Sequence, residues 1–313
     1  MKVLITGKGG QLAWELEQIC PNNVHVISFS AQELDITVSE KVNDMFDLHQ
    51  PDIVINAAAY TAVDKAETDR EMAYAVNDLG SEYLALACKK SGARLIHVST
   101  DFVFDGTKTT PCQTDEKPNP INVYGASKLA GDIKINNILG AQATIIRTAW
   151  VYSVNGNNFV KTMLRLMTEK EQLGIVYDQV GTPTWAKGLA KMIWSLVEKS
   201  GKVQGTSENI EPLSDAPLNP SSGTMFLHWT DAGVCSWYDF AIAIQELAVE
   251  KCMLDQPIPI RPIPASAYPT PAKRPSFSVI DKSSAEQASG IETIHWRQQL
   301  STMLDELKNR SNS

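Results

Sequence analysis

Lys2-Val3-Leu4-Ile5-Thr6-Gly7-Lys8-Gly9-Gly10-Gln11-Leu12-Ala13 opens the chain as an apolar run, a cluster of glycines and the start of a helix-like stretch. Strand, glycine turn and helix in that order are the context a dinucleotide-binding turn requires. Gly7 and Gly10 permit a tight turn and let backbone approach a pyrophosphate, whose charge meets the free N–H groups and positive end of the helix. The spacing is G-x-x-G-x-x-A, and an ordinary strand-turn-helix carries similar residues, so the turn needs support from the rest of the chain.

That support is a rhythm. Val3–Thr6 is followed by a helical pattern at Gln11–Cys20, Val24–Phe29 by Ser39–His49, Ile53–Asn56 by Glu71–Lys90, and Leu95–Ser99 by Asn122–Asn137, before a further run at Thr144–Arg147. Short β-branched runs alternating with longer amphipathic ones imply βαβ units. Strands buried on both faces read as continuous apolar runs, as Ile53-Val54-Ile55 does, so the expected fold class is α/β with a doubly wound parallel sheet.

Beyond Trp150 the alternation loosens into helical patterns at Phe159–Glu169, Ala186–Lys199, Ser236–Glu250 and Trp296–Leu307. Residues 1–149 with parts of 174–250 are assigned to the sheet domain, and 150–173 with 251–300 to a smaller substrate-binding lobe. The Ser-, Asn-, Pro- and Gly-rich stretch 203–224 reads as a surface loop, and proline-rich 257–275 as extended chain.

A net charge of −8 excludes the basic footprint that nucleic acid or an anionic membrane requires. Five scattered cysteines (Cys20, Cys88, Cys112, Cys235, Cys252) without a C-x-x-C pair suggest neither a disulfide framework nor a zinc site. With no leader-like or membrane-length apolar run, the protein is expected to be cytoplasmic.

Chemistry concentrates in Tyr124-Gly125-Ala126-Ser127-Lys128, where a phenol and an amine four residues apart share one helix face. Ketone reduction needs a proton for oxygen as hydride reaches carbon, and a tyrosine with a lowered pKa suits that task. Lowering a phenol from about 10 to about 7 takes roughly 4 kcal/mol. An ammonium at about 4 Å in an effective dielectric of about 20 supplies about that much, so Lys128 is expected to prime Tyr124. Y-x-x-x-K alone is common on exposed helices, and its neighbours matter. Ser99-Thr100-Asp101-Phe102 follows the fourth strand and puts the Thr100 hydroxyl at a carboxyl end, where open sheets bind ligands. His97 reads as a satisfied core residue without a catalytic role.

Asp35, before a helix that Thr37 and Glu40 are positioned to start as a capping box, reads either as a solvated loop residue or as a carboxylate near an adenine. Ala57-Ala58-Ala59 leaves room for a cofactor at the third strand's end, although alanine runs are often plain packing. No acid ends the second strand at Ser28-Phe29-Ser30, and no Arg follows to clamp a 2′-phosphate, so NADH and NADPH are not separable on this reading.

Together the glycine turn, Asn56–Glu67 (NAAAYTAVDKAE), Ser99–Gly106 (STDFVFDG) and Tyr124–Lys128 (YGASK) resemble the extended short-chain dehydrogenases. Arg147–Tyr152 (RTAWVY), Asn158–Val160, Asp178–Thr184 (DQVGTPT), Ser236–Ala241 (SWYDFA) and Ala272–Pro275 (AKRP) resemble the dTDP-4-dehydrorhamnose reductase branch. The likeness spans nearly the whole chain, with 203–224 as the main exception. It implies a Rossmann-type fold, NADPH or NADH as cofactor, and a dTDP-linked 4-keto-6-deoxy sugar as substrate. It implies a catalytic Thr100, Tyr124 and Lys128, with Tyr124 as proton donor and Lys128 also on the nicotinamide ribose. Cofactor contacts are expected at Gly7, Gly10, Gln11, Leu12, Ser30, Asp35, Ile36, Ala57, Ala58 and Ala59, besides Tyr124 and Lys128. The sugar nucleotide is expected at Thr100, Asp101 and Trp150, with Asn157 and Asn158 at a helix start holding its diphosphate.

Some relatives dimerise through Mg²⁺ held by carboxylates. Glu15 corresponds to one ligand, but Lys187 stands where another acid is needed, which counts against a metal and leaves a homodimer open. Phe277 replaces a more usual polar residue and is expected to alter the substrate rim.

The same fold admits rival functions. A non-catalytic NADP-binding regulatory subunit, as in relatives that modulate methionine adenosyltransferase, is disfavoured by the intact Thr100, Tyr124 and Lys128. A dehydratase wants an Asp-Glu pair after the threonine, where Asp101-Phe102 stands, whereas a reductase of another nucleotide-linked 4-keto-6-deoxy sugar stays open. No G-x-S-x-G elbow or H-E-x-x-H helix supports a hydrolase.

Overall fold

Five strands, β1 (Lys2–Thr6), β2 (His25–Phe29), β3 (Ile53–Asn56), β4 (Arg94–Thr100) and β5 (Ala143–Thr148), lie side by side in parallel with a sixth, Met225–Trp229. The structure is a computed structural model describing residues 1–202 and 223–311. All but Gly223 and Thr224 of the expected 203–224 loop lies outside the described residues.

Side-chain alternation explains why both faces are covered. Val3, Ile5, Ile53, Ile55, Ile96 and Ile146 pack with Leu12 and Leu16 of helix Gln11–Gln18 and Leu189, Ile193 and Val197 of helix Ala186–Lys202. Leu4, Val54, Leu95 and Ile145 face the other way, onto Val42, Phe46, Leu84, Ile135 and Leu139 of helices Ser39–His49, Gly80–Ser91 and Val123–Leu139. Each such burial contributes about 1.5–3 kcal/mol of transfer free energy, which is what holds these short strands in the sheet.

Across the sheet the order is β2-β1-β3-β4-β5 and then Met225–Trp229. The chain leaves β1 for β2 on one side and returns to place β3 on the other, so the carboxyl ends of β1 and β3 flank a switch point, where crevices form.

A second core gathers Tyr152 of the strand Val151–Tyr152 with Val160, Met163, Met167, Phe240, Ile244, Trp296, Leu300 and Leu304 from helices Phe159–Glu169, Trp237–Glu250 and Trp296–Ser311. A capping box between Ser236 and Asp239 starts the middle helix. The proline-rich segment contributes the strand Ile260–Ile263, parallel to Leu173–Val176.

Two local expectations fail. Thr37 and Glu40 form no capping box; the Thr37 N–H and hydroxyl donate to Asp35 at 3.0 and 2.7 Å, and helix Ser39–His49 begins without a side-chain cap. The single helix expected at Glu71–Lys90 is interrupted by a π turn at Ala75–Leu79. Asn77, buried in that turn, accepts from the Tyr60 N–H at 2.9 Å and donates to the Tyr60 carbonyl and the Ser127 hydroxyl.

Candidate active site

A cleft of about 1050 Å³ opens at the carboxyl ends of β1, β3 and β4. Its nucleotide end is built by the glycine turn. Gly7 has φ +82°, and a Cβ there would lie 2.8 Å from the Ala57 backbone, so the turn and the Ala57–Ala59 loop are in contact as only glycine allows. The Gly10 N–H donates to the Gly7 carbonyl at 3.0 Å, and no side chain caps helix Gln11–Gln18 behind it. First-turn N–H groups facing a cleft fit a dinucleotide's pyrophosphate.

The chemical end rests on helix Val123–Leu139. Asn122 caps it by accepting from the Gly125 N–H at 2.7 Å, and the Glu67 carboxylate accepts from the Val123 N–H at 2.9 Å. Gly125 is pressed against the turn Asp101–Val103, where an added Cβ would fall 2.1 Å from the Phe102 carbonyl oxygen. The helix therefore sits close enough for Thr100 to hydrogen-bond the Tyr124 phenol, while Phe102 meets the Tyr124 ring edge-on at 5.8 Å. The Thr100 hydroxyl also donates to Asp101 at 3.0 Å.

Tyr124 is not primed in the expected way. Burial pushes its phenol up to about 12, with the Thr100 hydrogen bond opposing and Asp101 and Asp132 adding to the rise. The Lys128 amine points instead to the Val98 carbonyl at 2.8 Å and His97 Nε2 at 3.2 Å. Four-residue spacing fixed a common helix face, but the strand beneath supplied nearer partners. Burial lowers Lys128 to about 8, opposed by Asp132. Burial raises Asp101 to about 7, against hydrogen bonds from Ser278 and Thr100.

Gly7, Gly10, Gln11, Leu12, Asp35, Ile36, Ala57, Ala58, Ala59, Thr100, Asp101, Tyr124, Lys128, Trp150 and Asn157 all line this one cleft. Ser30 and Asn158 are not among its lining residues. Ser30 donates through its N–H and hydroxyl to Glu33 at 2.8 and 2.9 Å. Asn158 caps helix Phe159–Glu169 by accepting from the Lys161 N–H, and donates to Gln11 at 3.0 Å and the Ser153 carbonyl at 2.7 Å. Trp150 adopts φ +47° and stacks on Trp237, also in the cleft, with ring centroids 3.5 Å apart. Phe277 lies away from the lining, in a bridge to Val180.

Lys8, Trp237 and Arg274 line the cleft without having been singled out as site residues. The Lys8 N–H binds the Phe29 carbonyl, and its ammonium is 3.6 Å from the Glu33 carboxylate, putting a cation at the end of β2. Arg274 pairs with Asp64 at 2.7 and 3.0 Å, tying the proline-rich segment to the chain after β3. Only the motif placement of Lys8, directly after Gly7, could have flagged it.

Around Glu15 a lysine stands among the acidic side chains. Glu15 is buried, accepts from Ser153 at 2.7 Å and is held above the usual carboxylate range by burial; nearby Lys187 pairs with Glu306. The Lys187 ammonium thus serves Glu306, while Glu15 Oε2 is buried without a hydrogen-bond partner, and no group of three potential ligands occurs among the described residues.

Residues 1–309 match the family model described as RmlD substrate binding domain. A dTDP-4-dehydrorhamnose reductase of Burkholderia thailandensis is 39% identical over 310 residues, covering 95% of this chain and 96% of that protein. The crystal structure of a dTDP-4-dehydrorhamnose reductase from Clostridium acetobutylicum matches with a TM-score of 0.86 at 37% identity, covering 98% of this chain and all of that one. That of Bacillus anthracis, in complex with NADP, matches with a TM-score of 0.85 at 32% identity over 97% and 99% of the two chains. Sequence and fold agree over nearly the whole chain, and the chain belongs to the RmlD substrate binding domain family.

Proposed function

We propose that the protein reduces the C4 keto group of dTDP-4-dehydro-L-rhamnose, giving dTDP-L-rhamnose with consumption of NADPH. The observation carrying this reading is that Thr100, Tyr124 and Lys128 share one cleft with an uncapped glycine-turn helix, so a proton donor and a dinucleotide site face the same space. The reductases of B. thailandensis and C. acetobutylicum support the choice of sugar.

Bound reduced nicotinamide supplies the hydride. The phenol of Tyr124, raised by burial and so protonated at neutral pH, donates its proton to the oxygen left when hydride reaches C4. Thr100, held by Asp101 and hydrogen-bonded to the phenol, orients the carbonyl oxygen between two hydroxyls. Lys128 meets the nicotinamide ribose. The stacked Trp150 and Trp237 wall the cleft and exclude water from the sugar, and Asn157 holds the diphosphate while Asn158 fixes the start of its helix. NADPH is preferred over NADH because the Lys8 ammonium stands at the end of β2, joined to Ser30 through Glu33, within the region where a 2′-phosphate is expected.

The test is to mix the protein with dTDP-4-dehydro-L-rhamnose and NADPH or NADH, follow loss of the reduced nicotinamide, and identify the product by NMR. One mole of dTDP-L-rhamnose per mole of NADPH is expected. No oxidation of either cofactor would remove the assignment.

A further inference from the structure

The short helix Val63–Ala66, which follows the loop at the end of β3, carries two carboxylates that the chemistry of the cleft does not use. Asp64 and Glu67 stand three residues apart in one helical turn, so they leave the same side of it. Glu67 Oε1 accepts at 2.9 Å from the Val123 N–H, the first amide of the helix that bears Tyr124 and Lys128. An N–H at that position has no partner within its own helix and must find one outside. Asp64 holds a different segment: Arg274 donates to its two oxygens at 3.0 and 2.7 Å, and the Ala272 N–H donates to Oδ1 at 3.2 Å.

The two contacts meet again on the far side. The Lys273 carbonyl, between Ala272 and Arg274, accepts from Asn122 Nδ2 at 2.8 Å, while Asn122 Oδ1 accepts the Gly125 N–H at 2.7 Å. Short helix, proline-rich segment and helix start therefore close a ring, from Glu67 to Val123, from Asn122 to Lys273, and from Arg274 back to Asp64. Val123 and Ala66, both on this ring or next to it, form a buried cluster with Ala73, and the Tyr124 ring packs against that cluster. Either acid alone would tie two segments together; both on one turn tie three, and the third carries the phenol.

We propose that Asp64 and Glu67 are positioning residues that work as one clamp, making the seating of the helix start at Val123 and Tyr124 depend on the docking of the segment that carries Arg274. Arg274 and Tyr124 both line the cleft, so the clamp sets the spacing of its walls at the proton donor. Its effect on hydride transfer rests on the proposed reductase reading; its effect on the helix start does not.

Amide hydrogen exchange on the full chain, followed by NMR, tests the clamp without turnover. Asp64→Asn keeps the shape and an oxygen for the Ala272 N–H, but puts an amide nitrogen against Arg274. Exchange of the Val123, Gly125 and Ala126 N–H groups, which bond Glu67 and Asn122 and not Asp64, is expected to quicken about tenfold. Ile135, buried farther along the same helix, should keep its rate. Glu67→Ala should quicken the same three amides and, across the ring, the Ala272 N–H, whereas Glu67→Gln, which retains an oxygen for Val123, should stay within about threefold of the parent. Combining Asp64→Asn with Glu67→Ala should add little to the faster single variant, since contacts in one ring are coupled and independent ones multiply. Unchanged exchange at Val123 and Gly125 in Asp64→Asn, multiplied effects in the double variant, or a quickening shared equally by Ile135 overturns the proposal. If Asp64→Asn fails to fold, an unmoved Ala272 N–H in Glu67→Ala does so. Single-turnover reduction should slow about tenfold in Glu67→Ala and recover in Glu67→Gln, with NADPH affinity unchanged. A parent rate in Glu67→Ala would also overturn the positioning role, whereas no turnover by the parent protein, with exchange as expected, would count against the reductase reading instead.

Discussion

Replacing Asp101 by Asn should stabilise the protein at pH 8 while leaving it nearly unchanged at pH 4. Asp101 is 2% exposed, and burial raises its carboxyl to about 7, against an ordinary value of about 4 in the unfolded chain. Between those values the folded state holds a proton that the unfolded state has released, so stability falls as pH rises through the window, and the full cost stands above about pH 7. Three units at about 1.36 kcal/mol each give a cost of about 4 kcal/mol. Asn is neutral and of the same shape, and keeps an oxygen to accept from Thr100. Urea unfolding of both proteins from about pH 4 to 8 measures the difference, with a gain of about 2–4 kcal/mol expected at the alkaline end. A difference between the two that does not vary with pH would refute the reasoning, since a packing effect alone has no titration.

Other substitutions probe separate parts of the site. Lys8→Gln should weaken NADPH binding about tenfold, with NADH nearly unaffected, because it removes a charge proposed to meet only the 2′-phosphate; calorimetry showing equal losses for both cofactors would contradict this. Gly125→Ala forces a Cβ against the Phe102 carbonyl and should lower stability by about 2–4 kcal/mol, visible as a depressed melting temperature, so an unchanged melt would show that the helix does not sit where described. Asn158→Ala removes a cap and should cost about 1 kcal/mol of stability with the sugar-nucleotide KM little changed; a large rise in KM with unchanged stability would restore Asn158 as a direct diphosphate ligand.

Why some of this could be read in advance is a matter of local against non-local causes. Strands β1 to β5 were legible because burial on both faces writes itself into sequence as unbroken apolar runs. The sixth sheet strand was missed: Met225-Phe226-Leu227-His228-Trp229 follows a polar stretch, and its place beside β5 is set by long-range pairing. The π turn at Ala75–Leu79 depends on Asn77 reaching Tyr60 and Ser127, which no local propensity encodes.

The site followed the same division. Motif spacing put Thr100, Tyr124 and Lys128 at the right ends of their elements, since strand ends and helix faces are local properties. It could not say where the Lys128 amine points, because His97 and the Val98 carbonyl belong to the strand the helix crosses. Likewise Lys8 meets Glu33 only because β1 and β2 are paired in the register that joins Lys8 to Phe29.

The proposed mechanism centres on a proton from Tyr124, and Tyr124→Phe removes the oxygen that carries it. Single-turnover reduction of dTDP-4-dehydro-L-rhamnose by protein preloaded with NADPH should slow by about 10²–10⁴-fold in the variant, with NADPH affinity within about threefold of the parent. Hydride transfer at the parent rate in a Tyr124→Phe protein would mean that the proton comes from elsewhere.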